Sequence, residues 1–224
     1  MQKQRLEKIL KYITEDAPVA DIGTDHGYIP IRLAGRGFVS ELYACDINEG
    51  PLDNARRNAQ EAGCDKNIRF VLSDGFEKLD LSRIRYLIIA GMGGESCCGI
   101  MDRAEKKITE DNIFIFQPAT KPEVLRYWLL NNSYEILAED YVKENGKLYQ
   151  IIVAKLGEPQ KYTLSEMYTG TAYGNELYPE IRKHFADMFS KILCFSDESR
   201  NPDYKVIQIM YDELKEGMKN GKSL

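Results

Sequence analysis

Acidic residues and glycines alternate in one short stretch of the sequence, residues 19–30, which reads VADIGTDHGYIP. An apolar run ends on Asp21 and passes through Gly23 and Gly27, with Asp25 between the two glycines. A strand that breaks into glycines and restarts as a helix is typical of nucleotide-binding loops. Such a loop binds pyrophosphate through backbone N–H groups, but a carboxylate there suits a cationic ligand such as S-adenosylmethionine. An ordinary strand-to-helix turn also fits the glycine spacing.

Further acids and glycines follow the next predicted strands. Asp46 ends the second strand, nineteen residues after Gly27, close to the ~20 residues typical of the acid that binds ribose hydroxyls. Asp74 and Gly75 follow the third strand, and a Gly-Met-Gly-Gly turn at 91–94 follows the fourth. Because ligands of parallel sheets lie outside the carboxyl ends of the strands, these residues predict one binding site at that edge.

The elements that would position these residues alternate along the chain. Strands are predicted from residue 19 and at residues 41–46, 68–72, 86–90, 112–116, 135–142 and 148–154. Helices are predicted at residues 4–13, 29–34, 51–62 and 123–130. This alternation predicts an α/β fold with a mostly parallel sheet between helices, and a turn at 144–146 adds an antiparallel edge strand.

The last third of the chain has a different pattern. Residues 162–177 carry glycines and tyrosines without a clear period, which predicts a connector. Apolar residues then recur at heptad spacing, which predicts a helical seam: Ile181, Phe185, Met188, Ile192 and Phe195. A second helix start at Asn201-Pro202 predicts an antiparallel helical hairpin, or coiled coil. The resulting division is a first domain at 1–157, a connector at 158–177 and a hairpin at 178–224.

Composition excludes several classes of protein. The 224 residues are 43% apolar and carry a net charge of −5, which argues against broad binding of nucleic acid but leaves room for a local basic patch. The five cysteines form no CxxC pair and only two histidines accompany them, so we expect reduced thiols and no metal site. No apolar run approaches the ~20 residues of a membrane span, and without a signal-peptide pattern a cytoplasmic location is expected.

The motifs together resemble those of one enzyme family. DIGTDHGYIPI at 21–31, IAGMGG at 89–94 and the pair Gln117-Pro118 are similar to the bacterial tRNA adenine-22 N(1)-methyltransferases, which are class I S-adenosylmethionine-dependent enzymes. The resemblance covers nearly the whole chain, and it implies a Rossmann-like domain with a seven-stranded sheet followed by a helical hairpin. It also implies S-adenosylmethionine as cofactor and methyl transfer to adenine 22 of tRNA. Two departures are Ala119, where the family often has asparagine, and a short connector.

The resemblance also implies which residues bind the cofactor. They lie at the ends of the first four strands: Asp21, Gly23, Asp25, Gly27, Asp46, Ile47, Asp74, Gly75, Gly91, Met92 and Gly93. Asp46 would accept hydrogen bonds from the ribose hydroxyls, and Asp74 would accept one from the adenine amino group. The alternative for each of these acids is a solvated surface position.

The implied chemistry requires positioning more than proton transfer, because ring nitrogen 1 of neutral adenine already carries a lone pair. Alignment can contribute about 7–11 kcal/mol without a dedicated base. The product is cationic, so a carboxylate such as Asp25, or a backbone carbonyl at Gln117 or the 91–94 turn, would stabilise it. His26 would assist or simply bind the backbone, and Tyr28 would stack on the extruded base or simply pack. The predicted catalytic set is therefore Asp25, His26, Tyr28 and Gln117.

Other functions remain open at this point. The same fold could methylate another RNA position, a small molecule or a protein, although the turn at 91–94 lacks the Asn/Asp-Pro-Pro-aromatic motif of amino-methylating enzymes. A nicotinamide dehydrogenase and a non-catalytic RNA-binding module are further alternatives. The hairpin is expected either to hold tRNA or to pack and dimerise, in a monomer or weak homodimer, since residues 158–224 hold nine basic and eleven acidic residues.

Overall fold

Seven strands and eight α-helices form the part of the chain that the structure, a computed structural model, describes, residues 3–219. The strands are β1 (Val19–Ile22), β2 (Leu42–Asp46), β3 (Ile68–Leu72), β4 (Tyr86–Ala90), β5 (Ile113–Gln117), β6 (Tyr134–Glu144) and β7 (Lys147–Leu156). The helices are α1 (Lys3–Leu10), α2 (Tyr28–Ala34), α3 (Glu49–Glu61), α4 (Gly94–Ala104), α5 (Pro122–Asn131), α6 (Leu164–Thr169), α7 (Tyr178–Phe195) and α8 (Tyr204–Lys219).

All seven strands belong to one sheet of order β3-β2-β1-β4-β5-β7-β6. Every neighbouring pair from β3 to β5 is parallel, and β7 runs antiparallel to both β5 and β6. The predicted seven-stranded, mostly parallel sheet of Rossmann-like type is therefore confirmed. The chain reverses its direction of winding between β1 and β4, which is where such sheets bind their ligands.

Helices cover both faces of the sheet because its central strands are apolar on both sides. On one face Phe114 and Phe116 of β5 pack with Cys97 of α4 and Leu125 of α5. On the other face Ile115 belongs to a cluster that also contains buried residues of α1 and α2, among them Ile9, Leu10, Ile29 and Leu33. A strand buried on both faces reads as a continuous apolar run, which is why β4 and β5 are recognisable in the sequence.

The edge hairpin of β6 and β7 closes through a two-residue turn. Asn145 and Gly146 both have positive φ, 51° and 75°. Positive φ at both central residues is the geometry of a type I′ turn, whose twist matches that of the paired strands. The predicted turn is confirmed, and the strands are longer than predicted at both ends.

The segment predicted as a connector contains helix α6, for which no helix was predicted. Thr163 caps its N-terminus by accepting from the backbone N–H of Glu166, whose carboxylate accepts in turn from the N–H of Thr163. This reciprocal capping box is visible in the sequence as Thr-x-x-Glu. Tyr168 of α6 packs its ring against Phe185 and Phe189 of α7, at 5.6 and 5.2 Å between centroids. The helix therefore joins the hairpin to the domain.

The antiparallel helical hairpin is confirmed, since Arg182 near the start of α7 donates to the carbonyl of Leu214 near the end of α8. The predicted seam is wrong at Phe195, which is 88% exposed, while Phe189 is buried instead. A straight helix drifts from a strict heptad, so the last turn of α7 rotates away from its partner.

Several predicted boundaries move by a few residues. Helix α1 ends at Leu10 rather than at residue 13, although Ile13 is still buried. The predicted first domain and hairpin extend over residues 1–2 and 220–224, which lie outside the described residues. Between residues 3 and 219, no helix is both long enough and apolar enough to cross a membrane.

One buried ion pair attaches the connector to the sheet. The side chains of Arg126 on α5 and Glu139 on β6 are 0% and 1% exposed, and Arg126 Nε lies 2.6 Å from Glu139 Oε1. Arg126 Nη1 also donates to the carbonyl of Met167, at 2.8 Å. Glu139 Oε2 accepts from the Tyr162 and Thr171 hydroxyls, both at 3.0 Å. The pair therefore contacts both ends of α6.

We expect Arg126→Ala to lower the free energy of unfolding by about 3–5 kcal/mol, because it leaves the Glu139 carboxylate buried without its cation. Urea denaturation of the full chain measures the effect. Lys155→Ala is the matched control, since its pair with Glu135 is 3.7 Å long and about two fifths exposed and should contribute no more than about 1 kcal/mol. Equal losses in the two variants would contradict this interpretation.

Candidate functional site

A cavity of about 580 Å³ lies at the carboxyl edge of the sheet. Its walls come from the residues that follow β1 to β4 and from one face of α4: Ile22, Gly23, Asp46, Ile47, Ser73, Asp74, Gly75, Met92, Glu95, Ser96, Gly99, Ile100 and Arg103. Six residues of the predicted cofactor set therefore meet in one place: Gly23, Asp46, Ile47, Asp74, Gly75 and Met92. The other five predicted cofactor residues do not line this cavity.

Two glycines allow the cavity walls to approach each other. Gly23 has a φ of 73°, and a Cβ there would collide with the side-chain methyl of Met92. Gly75 has a φ of 53°, and its Cβ would lie 2.9 Å from Cγ2 of Ile100. Both positions combine a left-handed backbone with a close neighbour, so glycine is required there for steric reasons.

Asp21 supports the first loop from below. Its side chain is buried, and its Oδ2 accepts a hydrogen bond from the Thr24 hydroxyl at 2.8 Å. Burial raises the pKa of Asp21 to about 7, against the Thr24 hydrogen bond, and the nearby charge of Asp46 acts in the same direction as burial. The carboxyl group is thus close to half protonated at neutral pH.

Asp46 presents a carboxylate to the cavity from the end of β2. It is 8% exposed, and its Oδ1 accepts from the backbone N–H of Asn48 at 2.9 Å. That hydrogen bond fixes the side chain while the second oxygen makes no hydrogen bond within the described residues. The carboxylate is therefore oriented and still able to accept from a ligand hydroxyl.

Asp74 is paired with a cation that the motifs did not reveal. Arg103 Nη2 donates to Asp74 Oδ1 at 2.8 Å, and both side chains are about half exposed. Arg103 lies on the same face of α4 as Glu95 and Gly99, at helical spacing. Placing α4 after the Gly-rich turn and following that face would have identified it.

The predicted catalytic loop lies outside the residues that line the cavity. Asp25 is exposed with a φ of 38°, and its Oδ2 lies 3.3 Å from Nε2 of His26. The His26 ring lies 5.2 Å from the ring of Tyr28, which is 40% exposed. Gly27 packs under α3, where its Cβ would lie 3.2 Å from that of Ala55. Asp25, His26 and Tyr28 thus form one exposed cluster at the start of α2.

Gln117 occupies a different position, with a fully buried side chain. Its Nε2 donates to the carbonyl of Pro118 at 3.0 Å, and its Oε1 accepts from Arg5 Nη1 at 3.3 Å. Its own carbonyl accepts from the N–H of Gly91 at 2.9 Å. The side chain therefore cannot reach solvent, and Gln117 acts at this edge through its backbone.

The loops after β4 and β5 are joined by backbone hydrogen bonds. The N–H of Ala119 donates to the carbonyl of Met92 at 2.7 Å, and the N–H of Gly94 donates to that of Thr120 at 2.8 Å. Gly93 forms an isolated parallel bridge with Thr120. Gly91 and Gly93 therefore belong to this junction rather than to the cavity wall. Residues 3–219 contain no cluster of metal ligands.

Comparison with known proteins finds a methyltransferase family and relatives that are described as tRNA methyltransferases. The family described as "Methyltransferase domain" matches residues 2–152. The chain is 32% identical over 155 residues to the tRNA (adenine(22)-N(1))-methyltransferase of Bacillus subtilis (strain 168). The aligned region covers 69% of this chain and 65% of that protein. It is also 32% identical over 166 residues to a putative tRNA methyltransferase of Mycoplasma genitalium, over 72% of this chain and 73% of that protein.

A solved structure extends the likeness beyond the first domain. It is that of a putative tRNA (m1A22) methyltransferase of Streptococcus pneumoniae in complex with S-adenosyl-L-methionine. The TM-score is 0.83 at 26% sequence identity, and the superposition covers 96% of this chain and 99% of that one. The helical hairpin is therefore part of the shared structure.

The raised pKa of Asp21 has a consequence for stability. The carboxyl group titrates near pH 4 when the chain is unfolded and near 7 in the folded protein, so folding takes up a proton between those pH values. Stability must then fall as the pH rises from about 4 to about 7, by up to about 4 kcal/mol from this group. Asp21→Asn removes that loss, so its stability relative to the parent should rise over the same range.

Urea denaturation of both proteins from pH 4 to pH 8 measures this difference. Asp16→Asn is the control with a flat profile, since the backbone N–H of Val39 holds the pKa of the exposed Asp16 below its usual range. Its contribution to stability therefore changes only below about pH 4, outside the measured range. A constant difference between Asp21→Asn and the parent across the range would show that Asp21 is ionised throughout.

Proposed function

We infer that this chain transfers a methyl group from S-adenosylmethionine to ring nitrogen 1 of adenine 22 in tRNA. The chain belongs to the methyltransferase-domain family and, within it, to the relatives of tRNA (adenine(22)-N(1))-methyltransferase. The observation that carries this function is the convergence of six motif residues on one cavity at the carboxyl edge of the sheet. The match to a homologous structure that contains S-adenosylmethionine supports the choice of cofactor.

The cavity fits this cofactor by its donor set. Among the residues that the structure describes, three carboxylates line it, those of Asp46, Asp74 and Glu95, against one cation, Arg103, which is paired with Asp74. An acid-lined cleft disfavours a pyrophosphate and favours a ligand that carries positive charge. These properties support S-adenosylmethionine over a nicotinamide cofactor.

We assign the ends of the cofactor to particular residues. Asp46, held by the Asn48 N–H, accepts hydrogen bonds from the ribose hydroxyls through its remaining oxygen. Asp74 accepts from the adenine amino group, with Gly75 beside it. Gly23 and Met92 bound the methionine end, and Asp21 holds their loop through Thr24.

When bound, the cofactor supplies an electrophilic methyl group on a cationic sulfur. The protein has to exclude water and align adenine nitrogen 1 with that methyl group, and alignment of this kind can contribute about 7–11 kcal/mol. Nitrogen 1 lies on the base-pairing edge, so the base must be unpaired or extruded, at a few kcal/mol. Tyr28, exposed at the start of α2, offers a ring for stacking, and the adjacent Asp25 carboxylate stabilises the cationic product.

Transfer of label from S-adenosylmethionine to an unmodified tRNA transcript tests this function. Nucleoside analysis should recover the label as 1-methyladenosine, and a transcript with guanine at position 22 should remain unlabelled. Asp46→Ala should weaken binding of the cofactor about 10- to 100-fold, because a charge-assisted pair of hydrogen bonds is lost.

The matched control is Asp53→Ala, an exposed acid on α3 whose one ion pair within residues 3–219 is with the surface residue Arg56. Cofactor binding without transfer to any tRNA would refute the proposed activity. Label at another position, or in another acceptor, would favour the alternative methyltransferase functions.

We further propose that the groove beside Ala119 holds the tRNA backbone. The groove has a volume of about 620 Å³ and lies between the loop after β5, the β6–β7 turn and α7. Lys147 and Lys183 line it, and neither forms an ion pair within residues 3–219, whereas the neighbouring Lys143 pairs with Glu180 at 2.6 Å. In this proposal residues 1–157 carry the chemistry and residues 178–224 provide one wall for the RNA.

The double substitution Lys147→Gln and Lys183→Gln should raise the KM for tRNA about tenfold or more and reduce the dependence of binding on salt by about two phosphate contacts. The affinity for S-adenosylmethionine and the kcat should not change. Lys66→Gln is the control, an exposed lysine before β3 at the opposite edge of the sheet. An unchanged KM would place the RNA elsewhere.

A further inference from the structure

Two cavities meet at helix α4. The first is the cofactor cavity, and the second, of about 370 Å³, is lined by Asp74, Phe76, Glu77, Ile100, Arg103, Ala104 and Lys107. The two share three residues, Asp74, Ile100 and Arg103. These three side chains therefore form the boundary between the two spaces.

Arg103 is the adjustable part of this boundary. Ile100 is 7% exposed and its Cγ2 is the nearest atom to the Cβ position of Gly75, so it is fixed by packing. The Arg103 side chain is 54% exposed, and its ion pair with Asp74, the one it makes in the described part of the chain, holds the guanidinium across the opening.

Gly99, one turn before Arg103 on α4, lies beneath the guanidinium. A Cβ on Gly99 would lie 3.5 Å from Nη1 of Arg103, so the side chain lies back over the preceding turn, the usual direction for long side chains of a helix. The guanidinium is thereby brought to Asp74 rather than extended into solvent.

We propose that Arg103 determines the specificity of the cofactor site by closing its adenine end against substituents on the 6-amino group. The inference rests on the proposed function, in which Asp74 accepts from that amino group. With Arg103 paired to one oxygen of Asp74, the other oxygen is left for the unsubstituted amino group. A bulky substituent on that nitrogen has to displace the guanidinium and break the pair, whereas without Arg103 it would enter the second cavity.

Calorimetric titration with S-adenosylhomocysteine and its N6-benzyl analogue tests this role without any methyl transfer. The parent protein should bind the analogue about 100-fold or more weakly than S-adenosylhomocysteine, since the substituent meets a closed wall. In Arg103→Ala that ratio should fall to about fivefold or less, with S-adenosylhomocysteine itself bound within about fivefold of the parent, because an exposed ion pair contributes little. Arg103→Ser is a second variant that removes the guanidinium, and it should lower the ratio in the same way.

Two variants separate this role from a general effect on the helix. Lys107→Ala removes a residue that lines only the second cavity, and it should discriminate as the parent does. Arg103→Lys retains a cation beside Asp74 and should keep most of the discrimination. Thermal unfolding checks that every variant is folded.

Three outcomes would overturn the proposal. Arg103→Ala and Arg103→Ser could both bind S-adenosylhomocysteine normally and still reject the analogue as the parent does. They could also lose both ligands while remaining folded, which would make Arg103 a binding residue rather than a wall. If the parent protein bound no S-adenosylhomocysteine at all, the cofactor assignment itself would fail, and that result is distinct from the first two.

Discussion

The parallel pairing of neighbouring strands at their carboxyl ends is the constraint on which the candidate site depends. The N–H groups of Gly23 and Thr24 both donate to the carbonyl of Cys45, so the loop after β1 is fixed to the end of β2. The N–H of Ser73 donates to the carbonyl of Asp46 at 2.8 Å, which fixes the loop after β3 to the same strand. The backbone of each of these two loops is therefore held by the end of β2, and side-chain hydrogen bonds from Thr24 to Asp21 and from Ser73 to the carbonyl of Gly75 add to that support.

This arrangement concentrates negative charge, and the protein accommodates it in different ways at each position. Asp21 is buried, and its carboxyl group is partly protonated near neutral pH because its charge would be poorly solvated. Asp46 keeps a backbone donor, and Asp74 keeps a guanidinium. One buried acid that supports the loop and two oriented carboxylates at the surface of the cavity suit a ligand with a cationic end and neutral hydrogen-bond donors.

The strands themselves and much of the candidate site could be predicted from the sequence because both follow from local patterns. Strands β3 and β4 have the predicted bounds. β4 is a buried, continuous apolar run that ends before a glycine, and β3 is a mostly apolar run at the edge of the sheet that ends before Ser73 and Asp74. Asp46 and Asp74 were found because they follow such runs. Arg103 was not found, since an arginine at the end of an amphipathic helix has the pattern of a solvated residue. Arg126 and Glu139 escaped for the related reason that nothing local marks a buried ion pair whose partners lie on different elements.

The acidic hairpin is compatible with a nucleic-acid substrate because, within the described residues, two of its acids line the groove beside Ala119, Glu180 and Asp187, and Glu180 is paired with Lys143. Glu213 of α8 accepts from the backbone N–H of Ser165 instead. Other acids lie at the far turn of the hairpin, where Glu198 pairs with Lys205 at 2.7 Å. Net charge averages over these positions, whereas phosphate recognition depends on which cations lack a partner and where they lie. The connector positions the hairpin relative to the sheet. Arg126 and Glu139 hold both ends of α6 on the sheet, and α6 packs against α7. The distance between α7 and the loop after β5 is therefore defined, and these two elements are the walls of the groove.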